Sequence, residues 1–181
     1  MLPFKHYRES VNVDFKQLYL EIPFSREEIN SNGVWVKESR LTCWMSDKDI
    51  ELEYSDKKMK PIRLTKIVSE IRDSIYQKYN IYFDSVLANY YVDNKVGMRY
   101  HSDPLNDIWD THFMILSIGD SRKIIFREIE DIDKKFEFEM ESGDIIHMFN
   151  DCQDKYQHSV RKSKICKGPR ISLVFKRVSE K

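Results

Sequence analysis

One amphipathic stretch followed by a long succession of short apolar runs constrains this chain more than anything else in it. From Pro61 to about Tyr79 the apolar residues Leu64, Ile67, Val68, Ile71 and Ile75 recur at spacings of three and four, which predicts a helix with one apolar face and Pro61 at its start. After Asp84 the pattern changes to strand-like runs: Ser85–Tyr91, His112–Leu116, Lys123–Arg127, Phe136–Met140, Asp144–Met148 and Arg170–Phe175. Gly119-Asp120 and Ser142-Gly143-Asp144 supply turn chemistry between them. Upstream, Gly33–Val36 and Leu41–Trp44 read as further strands. A helix ahead of many short strands fits a mainly β, α+β chain, either a helix-backed antiparallel sheet or a jelly-roll barrel.

At 181 residues, with no repeat, low-complexity stretch or long linker, the chain is expected to form a single domain over 1–181. Its 41% hydrophobic and 33% charged content is that of a soluble globular protein. Lys+Arg and Asp+Glu are each 30, so no overall positive charge draws the chain onto nucleic acid, and any such contact must come from local patches. Cys43, Cys152 and Cys166 are odd in number and lack the close pairing of a zinc site, which reads as free thiols in a reducing compartment. Lys5, His6, Arg8 and Glu9 interrupt the N-terminal region, leaving neither a signal-peptide core nor a membrane span. A cytoplasmic or nuclear protein is the expectation.

Chemistry is concentrated in a few residues. In His101-Ser102-Asp103 on an extended segment, the imidazole and the carboxylate point the same way, because strand side chains alternate. Two histidines and one carboxylate cover one face of a divalent first-row metal and leave the other positions open, so a second histidine is needed from a separate strand. His158 is the candidate. His112 and His147 sit inside apolar runs and read as packed side chains, and His6 has no motif around it. Arg170 opens a strand that continues to Lys176. A guanidinium there suits the distal carboxylate of an acidic co-substrate, which it grips through two parallel hydrogen bonds.

The order of these motifs resembles the AlkB family of Fe(II)/2-oxoglutarate-dependent dioxygenases. Asn89-Tyr90-Tyr91-Val92-Asp93-Asn94, His101-Ser102-Asp103, His158 and Arg170-x-Ser172 carry the likeness. Arg40–Trp44, Ser85–Asn89, Ser117–Asp120 with Phe126-Arg127, and Gly143–Ile146 extend it from about Arg40 to Arg177. The resemblance implies a double-stranded β-helix over 84–178, a supporting helix over 61–80, and an N-terminal extension with a nucleotide-recognition lid over 1–60. It implies Fe(II), 2-oxoglutarate and O2 as cofactors, with His101, Asp103 and His158 as iron ligands. Asn89, Tyr91, Arg170, Ser172 and Lys176 fall where the family binds the co-substrate. Lys176 stands where most members have arginine, so it brings charge without the planar fork.

For the substrate, the resemblance places Tyr54 where the family's repair enzymes stack a base, and Leu52 where a second aromatic often lies. Trp44 is either a further contact or core. Leu105, after Pro104, occupies a place where repair enzymes carry an acidic base-reader, so the resemblance does not carry the standard base specificity over to this chain. Lys57, Lys58, Lys60 and Arg63, and then Arg161, Lys162, Lys164 and Lys167, are basic stretches that either meet phosphates or are solvated loops. The acidic run Glu128, Glu130, Asp131 and Asp133 is expected to lie away from any nucleic acid.

The activity implied is oxidative demethylation of N-alkylated bases in DNA or RNA by a monomer free of membranes, releasing formaldehyde, succinate and CO2. Two other readings stay open: the same oxygenase chemistry on a protein side chain or small molecule, and a non-catalytic binding module of the same fold.

Overall fold

In a computed structural model that describes residues 1–54, 56–165 and 167–180, the chain begins with β1 (Phe4–Tyr7) and α1 (Phe15–Glu21). Strands β2 (Glu28–Ser31), β3 (Val34–Lys37), β4 (Leu41–Ser46), β5 (Leu52–Tyr54) and β6 (Lys57–Met59) precede α2 (Lys66–Tyr79). Then come β7 (Ser85–Tyr91), β8 (Met98–His101), β9 (Phe113–Gly119), β10 (Arg122–Glu128), β11 (Lys135–Met140) and β12 (Ile145–Met148). The short α3 (Cys152–Lys155), β13 (Tyr156–Val160) and β14 (Arg170–Lys176) complete it. Cys166 lies outside the described residues, whereas Cys43 and Cys152 are buried free thiols.

The strands form a six-stranded sheet in the order β1-β12-β9-β14-β7-β4 and a four-stranded sheet in the order β11-β10-β13-β8, with β2–β3 and β5–β6 as separate hairpins. Their ladders are antiparallel, as a jelly roll requires. Alternation along each strand sorts side chains into two cores. Leu87, Tyr91, Phe113, Ile115 and Val174 of the large sheet meet Ile124, Phe126 and Val160 of the small one. On the opposite face of the large sheet, Val86, Leu116, Leu173 and Phe175 pack with Leu18 of α1 and Val68, Ile71 and Ile75 of α2.

The helix starts later than the apolar spacing suggested. Pro61 is not its first residue. Instead Ile62 donates its N–H to the Trp44 carbonyl and accepts from the Ser46 N–H, covering the open edge of β4 before the chain turns into α2 at Thr65. Thr65 makes no side-chain cap, and the Glu21 carboxylate of α1 accepts the Ile67 N–H at 2.7 Å in its place. Asn80, at φ 55°, ends the helix in the left-handed conformation.

The N-terminal sixty residues are more than an extension. They supply both edge strands of the large sheet, β1 beside β12 and β4 beside β7, along with the two hairpins that stand over one end of the barrel. Phe4 stacks on Phe126 with ring centroids 4.3 Å apart, which ties β1 to the small sheet as well. Among the described residues, no helix is long and apolar enough to cross a membrane.

Candidate metal centre

The small sheet brings the two motif histidines together directly. His101 ends β8 and is the cross-strand partner of His158 in β13, with ring centroids 4.3 Å apart. Asp103 follows in the loop, which is pinned by two bonds: the Ser102 hydroxyl donates to the Tyr156 carbonyl at 2.9 Å, and the Asp103 N–H donates to the Gln153 side-chain oxygen at 2.8 Å. One ligand atom from each of His101, Asp103 and His158 lies within 4.8 Å of the others. Among the described residues, this is the group of three or more such side chains with metal-binding spacing.

The protonation states suit a cation. His101 Nδ1 lies 2.8 Å from the Arg99 carbonyl, and a carbonyl only accepts, so Nδ1 carries the proton and Nε2 keeps its lone pair. Burial, with the neighbouring His101, pushes the His158 imidazole down to about 3, so His158 is neutral at physiological pH. Burial works to raise the Asp103 carboxyl. The Lys176 ammonium, 3.4 Å away, and the two histidines outweigh it and hold the group well below the usual carboxylate range. A carboxylate with two neutral imidazoles is the donor set that divalent iron takes, so the residues fit the ion.

A polar row runs beside this triad on the inward face of the large sheet. Thr42 pairs with Asn89, Asn89 with Ser172, and Ser172 with Ser117, crossing β4, β7, β14 and β9. Arg170, two residues before Ser172, faces the same way and is fully buried. Its Nε donates to the Ser117 hydroxyl at 2.7 Å and its guanidinium lies 5.2 Å from the centre of the Tyr91 ring, but neither terminal nitrogen has a hydrogen-bond partner among the described residues. Two parallel, unpartnered N–H groups inside a protein match a carboxylate. Asn89 accepts from Arg40 Nε at 2.8 Å through its oxygen, leaving its amide N–H groups to donate. Lys176, at the far end of β14, is 3% exposed and turned to Asp103, while Arg177 faces the other way and pairs with Asp110 at 2.8 Å.

An open cavity of about 640 Å³ leads from the triad to the two hairpins. Tyr54 and Leu52 of β5 line it, as do Ile29 and Val36 of the β2–β3 hairpin. Two expected contacts do not. Trp44 is 1% exposed, donates its indole N–H to the Ile50 carbonyl at 2.8 Å and packs edge-on against Trp109, which makes it core. Leu105 packs against the apolar core between the sheets, and its neighbours Pro104 and Asn106 line the cavity instead. The loop turns through Asn106 and Asp107, both at positive φ, and that turn carries Leu105 inward.

The cavity wall holds a charged cluster that no sequence pattern announced. Glu38 is 3% exposed and receives Arg40 Nη2 at 3.2 Å, the Tyr54 hydroxyl at 3.1 Å and Lys57 Nζ at 3.3 Å. Lys57 also donates to the Tyr54 hydroxyl at 2.7 Å and lies over that ring. Lys57 is therefore buried and paired, and it does not reach a phosphate. Lys58 pairs with Glu53, and Lys167 donates to the Ser121 hydroxyl. Of the basic candidates, Arg161 and Lys162 do open onto a groove of about 520 Å³, together with Arg99.

The 2OG-Fe(II) oxygenase superfamily model matches residues 6–176. The chain belongs to the 2OG-Fe(II) oxygenase superfamily. The chain is similar to the uncharacterized protein R406 of Acanthamoeba polyphaga mimivirus, 34% identical over 97% of this chain and 94% of that protein. The alpha-ketoglutarate-dependent dioxygenase alkB homolog 3 of Bos taurus is 24% identical over 91% of this chain, which spans 60% of that relative's length. The solved structure of OsALKBH1 shares the fold, with a TM-score of 0.69 at 14% identity over 98% of this chain and 99% of that one. This superfamily member is AlkB-like, a dioxygenase whose cofactors are Fe(II), 2-oxoglutarate and O2.

Proposed function

We propose that the protein oxidatively demethylates N-alkylated bases in DNA or RNA, with His101, Asp103 and His158 holding Fe(II). Asn89, Tyr91, Arg170 and Ser172 hold 2-oxoglutarate, and Lys176 fixes the second oxygen of Asp103. When bound, iron and 2-oxoglutarate supply the oxidising power that hydroxylates the N-methyl carbon with O2, giving succinate and CO2. The protein's part is placement. Lys176 and the pinned loop keep Asp103 aimed, His101 presents Nε2, and the apolar core behind the triad limits water. The hydroxymethyl group on nitrogen then leaves as formaldehyde, which restores the base.

The observation that carries the nucleic-acid reading is the continuity of two openings. The triad cavity and the groove of Arg99, Arg161 and Lys162 share Ser39 and Gly97–Tyr100, so a base inserted against Tyr54 leaves its backbone beside three cations. A flat pocket wall beside a basic groove suits a flipped nucleotide better than a peptide side chain. Tyr54 is held rigid for this by Glu38 and Lys57, and burial raises its hydroxyl well above the ordinary phenol value, so it stays neutral. The decisive experiment is mass spectrometry of methylated nucleosides in single- and double-stranded oligonucleotides after incubation with iron, ascorbate and 2-oxoglutarate. Loss of methyl from one base with matching formaldehyde supports the reading. Demethylation of a methylated peptide with every oligonucleotide unchanged rejects it.

A further inference from the structure

Unpartnered buried polar groups gather at one end of the barrel interior, and only part of them belongs to the co-substrate residues named above. Arg122, at the start of β10, is 1% exposed and lies on the inward face with Ile124 and Phe126. It comes from the small sheet, whereas Arg170 comes from the large one. Arg122 Nη2 donates to the Asp93 carbonyl, but its Nε and Nη1 have no partner among the described residues. Arg170 Nη1 and Nη2 and the Thr42 hydroxyl are likewise unpartnered and buried. The Tyr91 hydroxyl lies within electrostatic reach of both guanidiniums, and the Arg122 charge reaches Arg170.

The Arg122 charge disfavours that of Arg170, and each guanidinium loses hydration on burial. No described carboxylate forms an ion pair with either. The two nearest to Arg122 are already engaged, Asp93 by the Lys95 N–H at 2.8 Å and Asp120 by the N–H groups of Ser121 and Gly168. Both carboxylates favour the Arg122 charge from nearby, but the clamp on the Asp93 carbonyl uses one nitrogen and leaves Nε and Nη1 without an acceptor. A dianionic ligand accounts for them together.

We propose that Arg122 is a second guanidinium anchor for the co-substrate's distal carboxylate, which makes this end of the barrel select a doubly charged 2-oxo acid over a singly charged one. The inference rests on the placement of Arg170 given under Proposed function. Arg170 grips the carboxylate from β14 and Arg122 from β10, so the acid bridges the two sheets. The full chain, loaded with Mn(II) under argon so that no turnover occurs, is titrated calorimetrically with 2-oxoglutarate and with 2-oxobutyrate, which lacks the distal carboxylate.

Arg122→Met is expected to weaken 2-oxoglutarate about 10- to 100-fold, the range for lost charge-assisted hydrogen bonds. It should leave 2-oxobutyrate within about twofold, with Arg122→Lys recovering part of the loss. Thermal melts check folding, and Arg122→Lys carries the test if the methionine variant does not fold. Equal weakening of both acids marks a structural clamp and overturns the proposal. So does unchanged 2-oxoglutarate binding in the Arg122 variants while Arg170→Met loses it. An Arg170→Met protein that binds both acids normally overturns the placement of Arg170 as well.

Discussion

His101 and His158 are direct cross-strand partners in the β8–β13 ladder, their rings 4.3 Å apart, so the backbone of a sheet sets the spacing of both imidazoles. Asp103 alone reaches the triad from a loop, and that loop is tied to β13 and α3 by Ser102 and Gln153. The metal face is therefore built before any ion arrives, and its weakest member is the carboxylate.

Replacing His101 or Asp103 by alanine is expected to lower conversion of 2-oxoglutarate to succinate by more than about 100-fold, since even outer partners of metal ligands cost that much. Succinate is measured directly, and an unchanged melting temperature shows that folding survives. Full turnover in either variant rejects the metal assignment.

Lys176 is the buried counter-charge of Asp103, at 3.4 Å and sheltered by Phe113 and Trp109. Lys176→Met leaves the carboxylate alone in the interior, which is expected to destabilise the metal-free protein by about 3 kcal/mol. The added metal then becomes its only strong counter-charge. The rise in melting temperature on adding Mn(II) should be larger in the variant than in the wild type, and an equal or smaller rise contradicts the pairing.

Glu38 balances Arg40 and Lys57 in the cavity wall, and both cations are nearly buried. Glu38→Ala strands them, with an expected loss of about 3 kcal/mol or roughly 6–12 °C in melting temperature for a chain of this size. Because Tyr54 loses an acceptor at the same time, substrate binding should weaken more than 2-oxoglutarate binding. Calorimetric melts and the two affinities check this, and a variant as stable as the wild type argues against the cluster.

His112 Nδ1 and His147 Nε2 share a hydrogen bond of 2.8 Å, on the opposite face of the large sheet from the triad. Burial, with His112 and Lys5 nearby, pushes His147 down to about 4. A histidine depressed in the folded state imposes no penalty above its ordinary value near 6.5. As pH falls from there toward 4, the unfolded chain takes a proton that the folded chain refuses, and stability drops by at most about 3 kcal/mol. His147→Leu should flatten this fall while costing about 1 kcal/mol at neutral pH through the lost bond. Urea unfolding at several pH values reads both effects, and parallel slopes for the two proteins contradict the assignment.

The chemistry of β14 was legible because strand alternation is strict. Arg170, Ser172 and Lys176 share a face whatever the rest of the chain does, and the register then lays Asn89 and Ser117 beside Ser172. Depth was not legible. Tyr54 reads as a pocket aromatic and Trp44 as either pocket or core, and only the fold decides: β4 sends Trp44 into the core while the short β5–β6 hairpin holds Tyr54 at the wall. Edge strand β1 escaped notice because only Phe4 of its residues is buried, so it shows no alternation. The union of Glu38 with Lys57 depends on how two hairpins and β4 meet, which no local pattern encodes.

That same meeting of hairpins decides which cations remain for a nucleic acid. Lys57 is consumed by Glu38 and Tyr54, whereas Arg161 and Lys162 are exposed along the groove with Arg99. Each phosphate contact contributes about 0.7–0.9 to the slope of log affinity against log salt. The double variant Arg161→Ala, Lys162→Ala should therefore reduce the salt slope of oligonucleotide binding by roughly 1.4–1.8. Lys164→Ala, on a side chain outside that groove, should leave it nearly unchanged. Fluorescence anisotropy with a methylated single strand across a salt series measures both. A slope unaltered in the double variant removes the groove from the path of the strand, and with it the main structural argument for a nucleic-acid substrate.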